Sequence, residues 1–123
     1  YGTDIGLVTA MCGFETQAAL VEDKLAGPAK GGIYENLIFD MLTKRGIELH
    51  YIKKDSGTQE IEFLVEQNRG VVPIEVKSKR GSTQSLNAYL KEWDPPLAYK
   101  FTAGNIGFSE GKVTLPHYLA MFI

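Results

Sequence analysis

The chain has 123 residues, 44% hydrophobic and 23% charged, which is enough for one domain with a sizeable core. Its formal net charge of −2 excludes a strong global pull toward nucleic acid. The single cysteine, Cys12, excludes an internal disulfide, fits a reducing cytoplasm, and reads as a small core residue rather than a nucleophile. No apolar run reaches the roughly 18 residues needed to cross a bilayer, and no basic-then-apolar leader is visible, so no membrane partner is expected. The first residues, YGTDIGLVTAMCGF, already look structured, so the chain reads as a fragment of a longer protein.

Asp4 is an N-cap for a short helix, IGLVTAMC, stopped by Gly13. Thr16 caps a second helix, QAALVEDKLA, closed by Gly27 and Pro28. The longest helical pattern spans about residues 30–45, with Ile33, Tyr34, Leu37, Ile38, Met41 and Leu42 forming an apolar stripe that Gly46 ends. Asn36, Asp40, Thr43 and Lys44 fall on its polar face. The period then changes. IELHYIKK, QEIEFLVE and VVPIEVKS read as strands joined by the turns DSGT and QNRG. STQSLNAYLKEW is a helix capped by Ser82 and stopped by Pro95 and Pro96. LAYKFTA is a strand, GNIGFSEGK a loop with room for one short strand, and VTLPHYLAMFI a strand running into a short terminal helix. The order predicts a layered α/β domain with a mixed sheet. Residues 1–29 form a helical extension and 30–123 the α/β core.

The strands EIEFLVE and VVPIEVK carry carboxylates in their middles. Strand side chains alternate faces. Ile61, Phe63 and Val65 therefore share one face, and Glu60, Glu62 and Leu64 the other. On the next strand Val72, Ile74 and Val76 oppose Val71, Pro73, Glu75 and Lys77. If QNRG is the hairpin loop, Glu66 pairs with Val71, and the same register sets Glu62 opposite Glu75, with Cβ atoms about 4.5–5.5 Å apart. Two carboxylates so close raise one pKa or call for a cation between them. Lys77 either relieves them as a salt bridge or serves a reaction. Glu35 lies at the edge of the helical apolar stripe, where it either snorkels outward or points into a cleft against the sheet. Three carboxylates and a lysine suit Mg²⁺ or Mn²⁺, with the lysine placed to stabilise developing charge or position a water. Against this stands the plainer reading of a solvated charged strand face.

These residues resemble the PD-(D/E)xK nuclease superfamily. Its half-motif falls here on Glu75-Val76-Lys77, its first acid on Glu62, and its upstream helix acid on Glu35. The resemblance implies a restriction-endonuclease-like three-layer core. More narrowly, the chain is similar to an uncharacterised domain at the C-terminus of many bacterial and archaeal AAA+ ATPases. Asp4-Ile5-Gly6-Leu7, Gly31 through Glu35-Asn36, Glu60-Ile61-Glu62-Phe63 and Pro73-Ile74-Glu75-Val76-Lys77 carry it. That family usually has Asp where this chain has Glu62, a longer side chain that shifts the carboxylate, and catalysis is sensitive to such displacement.

The resemblance implies metal-dependent phosphodiester hydrolysis. Glu62 and Glu75 would bind Mg²⁺ or Mn²⁺, Glu35 would assist, and Lys77 would act on water or the transition state. An upstream ATPase domain of the same polypeptide and DNA are the implied partners. No ATP site lies in this chain, since Gly111-Lys112 is followed by Val113 and does not make a phosphate loop. The alternative is a catalytically silent scaffold that binds DNA or a protein for the ATPase. Lys79 and Arg80, with Lys53, Lys54, Lys44 and Arg45, are candidates to track a phosphate backbone or simply a solvated strand end. Gln84 could face the site from the start of its helix. His50 and His117 have no partner at metal-ligand spacing, and His50 reads as a satisfied sheet histidine. Trp93, Tyr99 and Phe101 read as core or lid aromatics.

Overall fold

Three helices precede the sheet. In the computed structural model, which describes residues 4–25, 27–53, 60–79 and 81–123, α1 (Ile5–Met11) begins at its expected cap. Asp4 Oδ1 accepts from the Leu7 amide at 3.0 Å. Cys12, expected in the core, is exposed at the end of α1, a helix that buries none of its residues. α2 (Phe14–Val21) starts before Thr16, with Gly13 as its cap at φ +82°, so Thr16 lies inside the first turn. Gly27 and Pro28 do not close α2. They open α3 (Gly27–Lys44), because a proline in a first turn lacks only an amide that has no helical partner anyway.

α3 ends as its sequence demands. Gly46 takes φ +77°, its amide bonds the Thr43 carbonyl, and the Ile47 amide bonds the Leu42 carbonyl. That is a Schellman closure, which needs a residue tolerant of the left-handed region. Asp40, expected on the polar face, is buried and bonded by Lys44 Nζ at 2.8 Å, and the same Lys44 lies 3.7 Å from Asp4 at the start of α1.

The strands are β1 (Leu49–Lys53), β2 (Glu60–Gln67), β3 (Gly70–Val76), β4 (Ala98–Thr102), β5 (Gly107–Ser109) and β6 (Lys112–Pro116). α4 (Gln84–Trp93) links β3 to β4, and a 3₁₀ helix, His117–Phe122, ends the chain. Ser82 does not cap α4: Thr83 occupies that position, and Ser82 Oγ accepts from the Gln84 amide at 3.4 Å. The predicted turn DSGT lies outside the described residues. The strands form one open six-stranded sheet in the order β1-β2-β3-β4-β6-β5. β1, β2 and β3 pair antiparallel, β3, β4 and β6 run parallel, and β5 pairs antiparallel with β6. The domain is α/β with a mixed sheet.

Glu66 pairs with Val71 and Gln67 with Gly70, which leaves Asn68-Arg69 as the loop and matches the expected register. β4 joins β3 only from Ile74 onward, so Pro73 sits just before that ladder, where its missing N–H costs no bond to β4. Apolar side chains fill both faces. Ile38 and Leu42 of α3 pack with Phe63, Val65, Ile74 and Phe101 on one side. Leu86 of α4 packs with Ile61, Leu64 and Ala98 on the other. Each of these side chains except Ala98 contributes about 1.5–3 kcal/mol by burial.

Among the described residues no helix is long and apolar enough to cross a membrane.

Candidate functional site

The alternation expected along β2 fails at one point, and that point is Glu62. His50 faces Leu64 and Ile52 faces Ile61, so Tyr51 alone is opposed by both Glu62 and Phe63. This two-against-one step is a β-bulge, which re-aims a side chain and resets the faces. Ile61 consequently packs with Leu64 on the α4 side, not with Phe63 and Val65 as the simple alternation predicts.

Glu62 and Glu75 are 8% and 1% exposed, so neither lies on a solvated face. Lys77 joins them. Its Nζ lies 3.1 Å from Glu62 Oε1 and 3.5 Å from Glu75 Oε1. The second oxygen of each carboxylate, Glu62 Oε2 and Glu75 Oε2, is buried and has no hydrogen-bond partner. Burial pushes both carboxyl groups above their ordinary range, and the Lys77 charge offsets this only in part. Burial draws the Lys77 ammonium down, but the two carboxylates outweigh it and hold its pKa above the usual value.

Glu35 on α3 is near enough to act on Tyr51 of β1, as Glu62 is. The Tyr51 hydroxyl donates to Glu60 Oε1 at 2.6 Å, and its pKa is raised by that bond, by burial, and by the charges of Glu60, Glu35 and Glu62. Glu35 does not complete a three-carboxylate cluster. Among the described residues no three His, Cys, Asp or Glu side chains gather at metal-binding distance. The carboxylates that meet are Glu62 and Glu75, and they meet at Lys77.

Lys79 is exposed beyond the end of β3, and Gln84 is exposed at the start of α4. Arg80 and Lys54 lie outside the described residues. His50 is exposed on the edge strand, 3.8 Å from Glu48 Oε1. Phe101 is fully buried and Tyr99 packs beside it, whereas Trp93 is exposed.

Three further residues belong to the surroundings of the site. Lys100 pairs in register with Glu75, bonds the Gly81 carbonyl at 3.0 Å, and adds its charge to those felt by Glu75. Burial lowers the Lys100 pKa, opposed by Glu75 and assisted by Lys112 and Lys77. A lysine between Tyr99 and Phe101 in a strand is the same signal as Glu75 between Ile74 and Val76, and could have been read that way. His117, buried at the start of the 3₁₀ helix, stacks on Tyr34 at 4.3 Å and bonds the Lys77 carbonyl at 2.8 Å. A carbonyl only accepts, so His117 Nε2 carries the proton. Tyr34 precedes Glu35 on α3, so this bond ties that helix to the end of β3. No local pattern in the sequence announces this contact.

A separate cavity of about 770 Å³ lies at the far end of the β2–β3 hairpin, lined by Arg45, Gln67, Asn68 and Arg69 among others. Arg45 is already occupied there by the carbonyls of Met121 and Ile123.

No curated protein and no solved structure matches the chain. One family model does, over residues 30–118, from the first turn of α3 into the 3₁₀ helix. That span includes Glu35, Glu62, Glu75, Lys77 and His117, and the chain belongs to this family, a domain of unknown function (DUF4143).

Proposed function

We propose that the chain is a restriction-endonuclease-like domain that hydrolyses phosphodiester bonds in nucleic acid with a divalent metal ion, in the cytoplasm, as the C-terminal domain of an AAA+ ATPase. The observation that carries this reading is the pair of buried, unpartnered oxygens on Glu62 and Glu75 beside Lys77. Native structures leave few buried polar atoms unpaired. Two anionic oxygens in one corner fit a hard divalent cation, which takes oxygen ligands. Glu62 and Glu75 would hold Mg²⁺ or Mn²⁺, with Glu35 assisting from α3. When bound, the ion supplies charge to polarise a phosphate and to lower the pKa of a water. Lys77, held protonated by its two carboxylates, supplies a positive charge for the developing charge on phosphorus-bound oxygens. The order α3, three antiparallel strands, α4 and a parallel β4 supports the nuclease-like fold reading.

A second reading has its own observation. The 3.1 Å contact between Lys77 and Glu62 closes charge within the chain, as a silent scaffold domain would. Glu62 in place of the usual Asp points the same way.

Thermal unfolding of the parent and Glu75→Gln, each with and without Mn²⁺, separates the two. If the corner is a metal site, Glu75→Gln melts above the parent without metal, and Mn²⁺ raises only the parent. That result is followed by cleavage assays with Mg²⁺ and Mn²⁺. If Glu75→Gln melts lower and Mn²⁺ moves neither protein, the corner is a structural ion pair and the scaffold reading stands.

A further inference from the structure

β3, β4 and β6 run parallel, so their carboxyl ends open on one edge of the sheet. In open α/β sheets that edge is where ligands gather. Past the end of β3, Lys79 lines a cavity of about 320 Å³ with Ala103, Gly104 and Asn105, which follow β4. The cavity sits two residues along the chain from Lys77.

The same lysine faces an acid from the other side. Asp23, in the loop between α2 and α3, accepts from Lys30 Nζ and lies 4.0 Å from Lys79 Nζ. The Lys30 side chain is only 4% exposed, and a buried ammonium needs a counter-charge. Its carboxylate partner is an exposed side chain on a loop, shared with a second lysine. Asp23 holds φ +55°, a left-handed conformation that Asp tolerates without favouring it. α2, which leads into this loop, has no buried residue to anchor it. Two cations thus converge on one carboxylate, whose backbone is tied to the end of α2 by the Asp23 amide bond to the Leu20 carbonyl at 3.2 Å. The excess positive charge and the polar cavity suit a phosphate monoanion.

We propose that Lys79 and the Gly104–Asn105 turn form a subsite for a backbone phosphate of a nucleic-acid strand, neighbouring the one acted on at Lys77, and that Asp23 is a built-in competitor which this phosphate displaces from Lys79. The subsite rests on the phosphodiester reading above and extends it. It gives the domain a brake. While Asp23 sits beside Lys79 the strand is held weakly, and rotation of the Asp23 side chain away from it releases the lysine.

The test is fluorescence anisotropy with a short labelled DNA duplex in EDTA, so that binding is read without cleavage. Asp23→Asn should tighten binding several-fold, and the gain should vanish in Asp23→Asn/Lys79→Ala. Lys79→Ala alone should weaken binding and reduce the salt slope by about one phosphate contact. Lys79 is exposed, so its alanine variant folds and carries the test even if Asp23→Asn, which strips Lys30 of its counter-charge, does not. Unchanged affinity and salt slope in Lys79→Ala overturn the subsite. So does a gain in Asp23→Asn that survives the loss of Lys79, or failure of both parent and Asp23→Asn to bind. If binding responds as expected but no cleavage follows with Mg²⁺ or Mn²⁺, the hydrolytic reading falls and the subsite stands.

Discussion

Two buried charged sites in one sheet, separated by β4, are treated very differently by the fold. Lys112 on β6 is 8% exposed, and its ammonium is met by Asn87 Oδ1 on α4 and by Glu110 Oε2 at 3.2 Å. It is a buried cation with its partners supplied from two directions. Glu62 and Glu75 are equally buried, yet they share a single lysine and each keeps an oxygen with no partner. A charge placed only for architecture can be compensated by nearby side chains at little cost. A corner that keeps two unpartnered carboxylate oxygens beside one lysine carries a free-energy penalty in the folded state, a larger one than the single unpartnered oxygen of Asp40 on α3.

Removing the two lysines should break the comparison most sharply. Lys77→Met leaves two buried carboxylates without their shared cation, and should lower stability by about 2–4 kcal/mol at neutral pH. Lys112→Met loses hydrogen bonds and the most minor of the charges felt by Glu75, leaves Glu75 paired with Lys77, and should cost about 1 kcal/mol. Urea unfolding of both variants reads this directly. Equal losses would show that the corner is compensated as well as Lys112 is.

The pH dependence sharpens it further. Glu62 and Glu75 are raised above their ordinary value of 4.5, so the folded state holds these protons longer than the unfolded chain does. Their penalty is absent below pH 4.5 and grows as pH rises through the raised pKa values, by at most about 1.4 kcal/mol per unit and proton. The melting temperatures of the parent and Glu75→Gln should converge near pH 4.5 and separate toward neutrality, with the variant higher. Parallel curves would mean that Glu75 is not strained.

The smallest effect belongs to His117. His117→Phe keeps a ring against Tyr34 but loses the bond to the Lys77 carbonyl, a loss of about 1 kcal/mol or less. Burial holds the His117 pKa below 6.5, and the bond to Lys77 only partly opposes this, so the unfolded chain takes up its proton first. The stability contributed by neutral His117 is therefore lost as pH falls through 6.5 toward the folded value, and His117→Phe should lack that component. A variant whose stability tracks the parent across this range would remove His117 from the support of Lys77.

Local signals carried much of this protein. The Asp4 cap, the stop at Gly46, the hairpin register around Asn68-Arg69 and the strand AYKFT all follow from short-range chemistry, since caps, turns and alternation need only neighbouring residues. The same chemistry made Glu62, Glu75 and Lys77 stand out, as ionisable residues inside apolar strands. Where signals competed, local reading failed. Pro28 marks a stop as readily as a start, and the chain used it to begin α3. Asp40 falls on the polar face by its spacing, yet the fold buries it.

The sequence by itself determined the order and type of the elements, though not the starts of α2 and α3, and that charged groups lie within the strands. The tertiary structure decided what those charges meet. The bulge at Glu62 depends on how β1 registers against β2. The nearness of Lys100, His117 and Asp23 to the ends of β3 and β4 depends on crossovers that join distant segments. Electrostatic environment is a property of three-dimensional distance and burial, and neither is written in the spacing of residues along a chain.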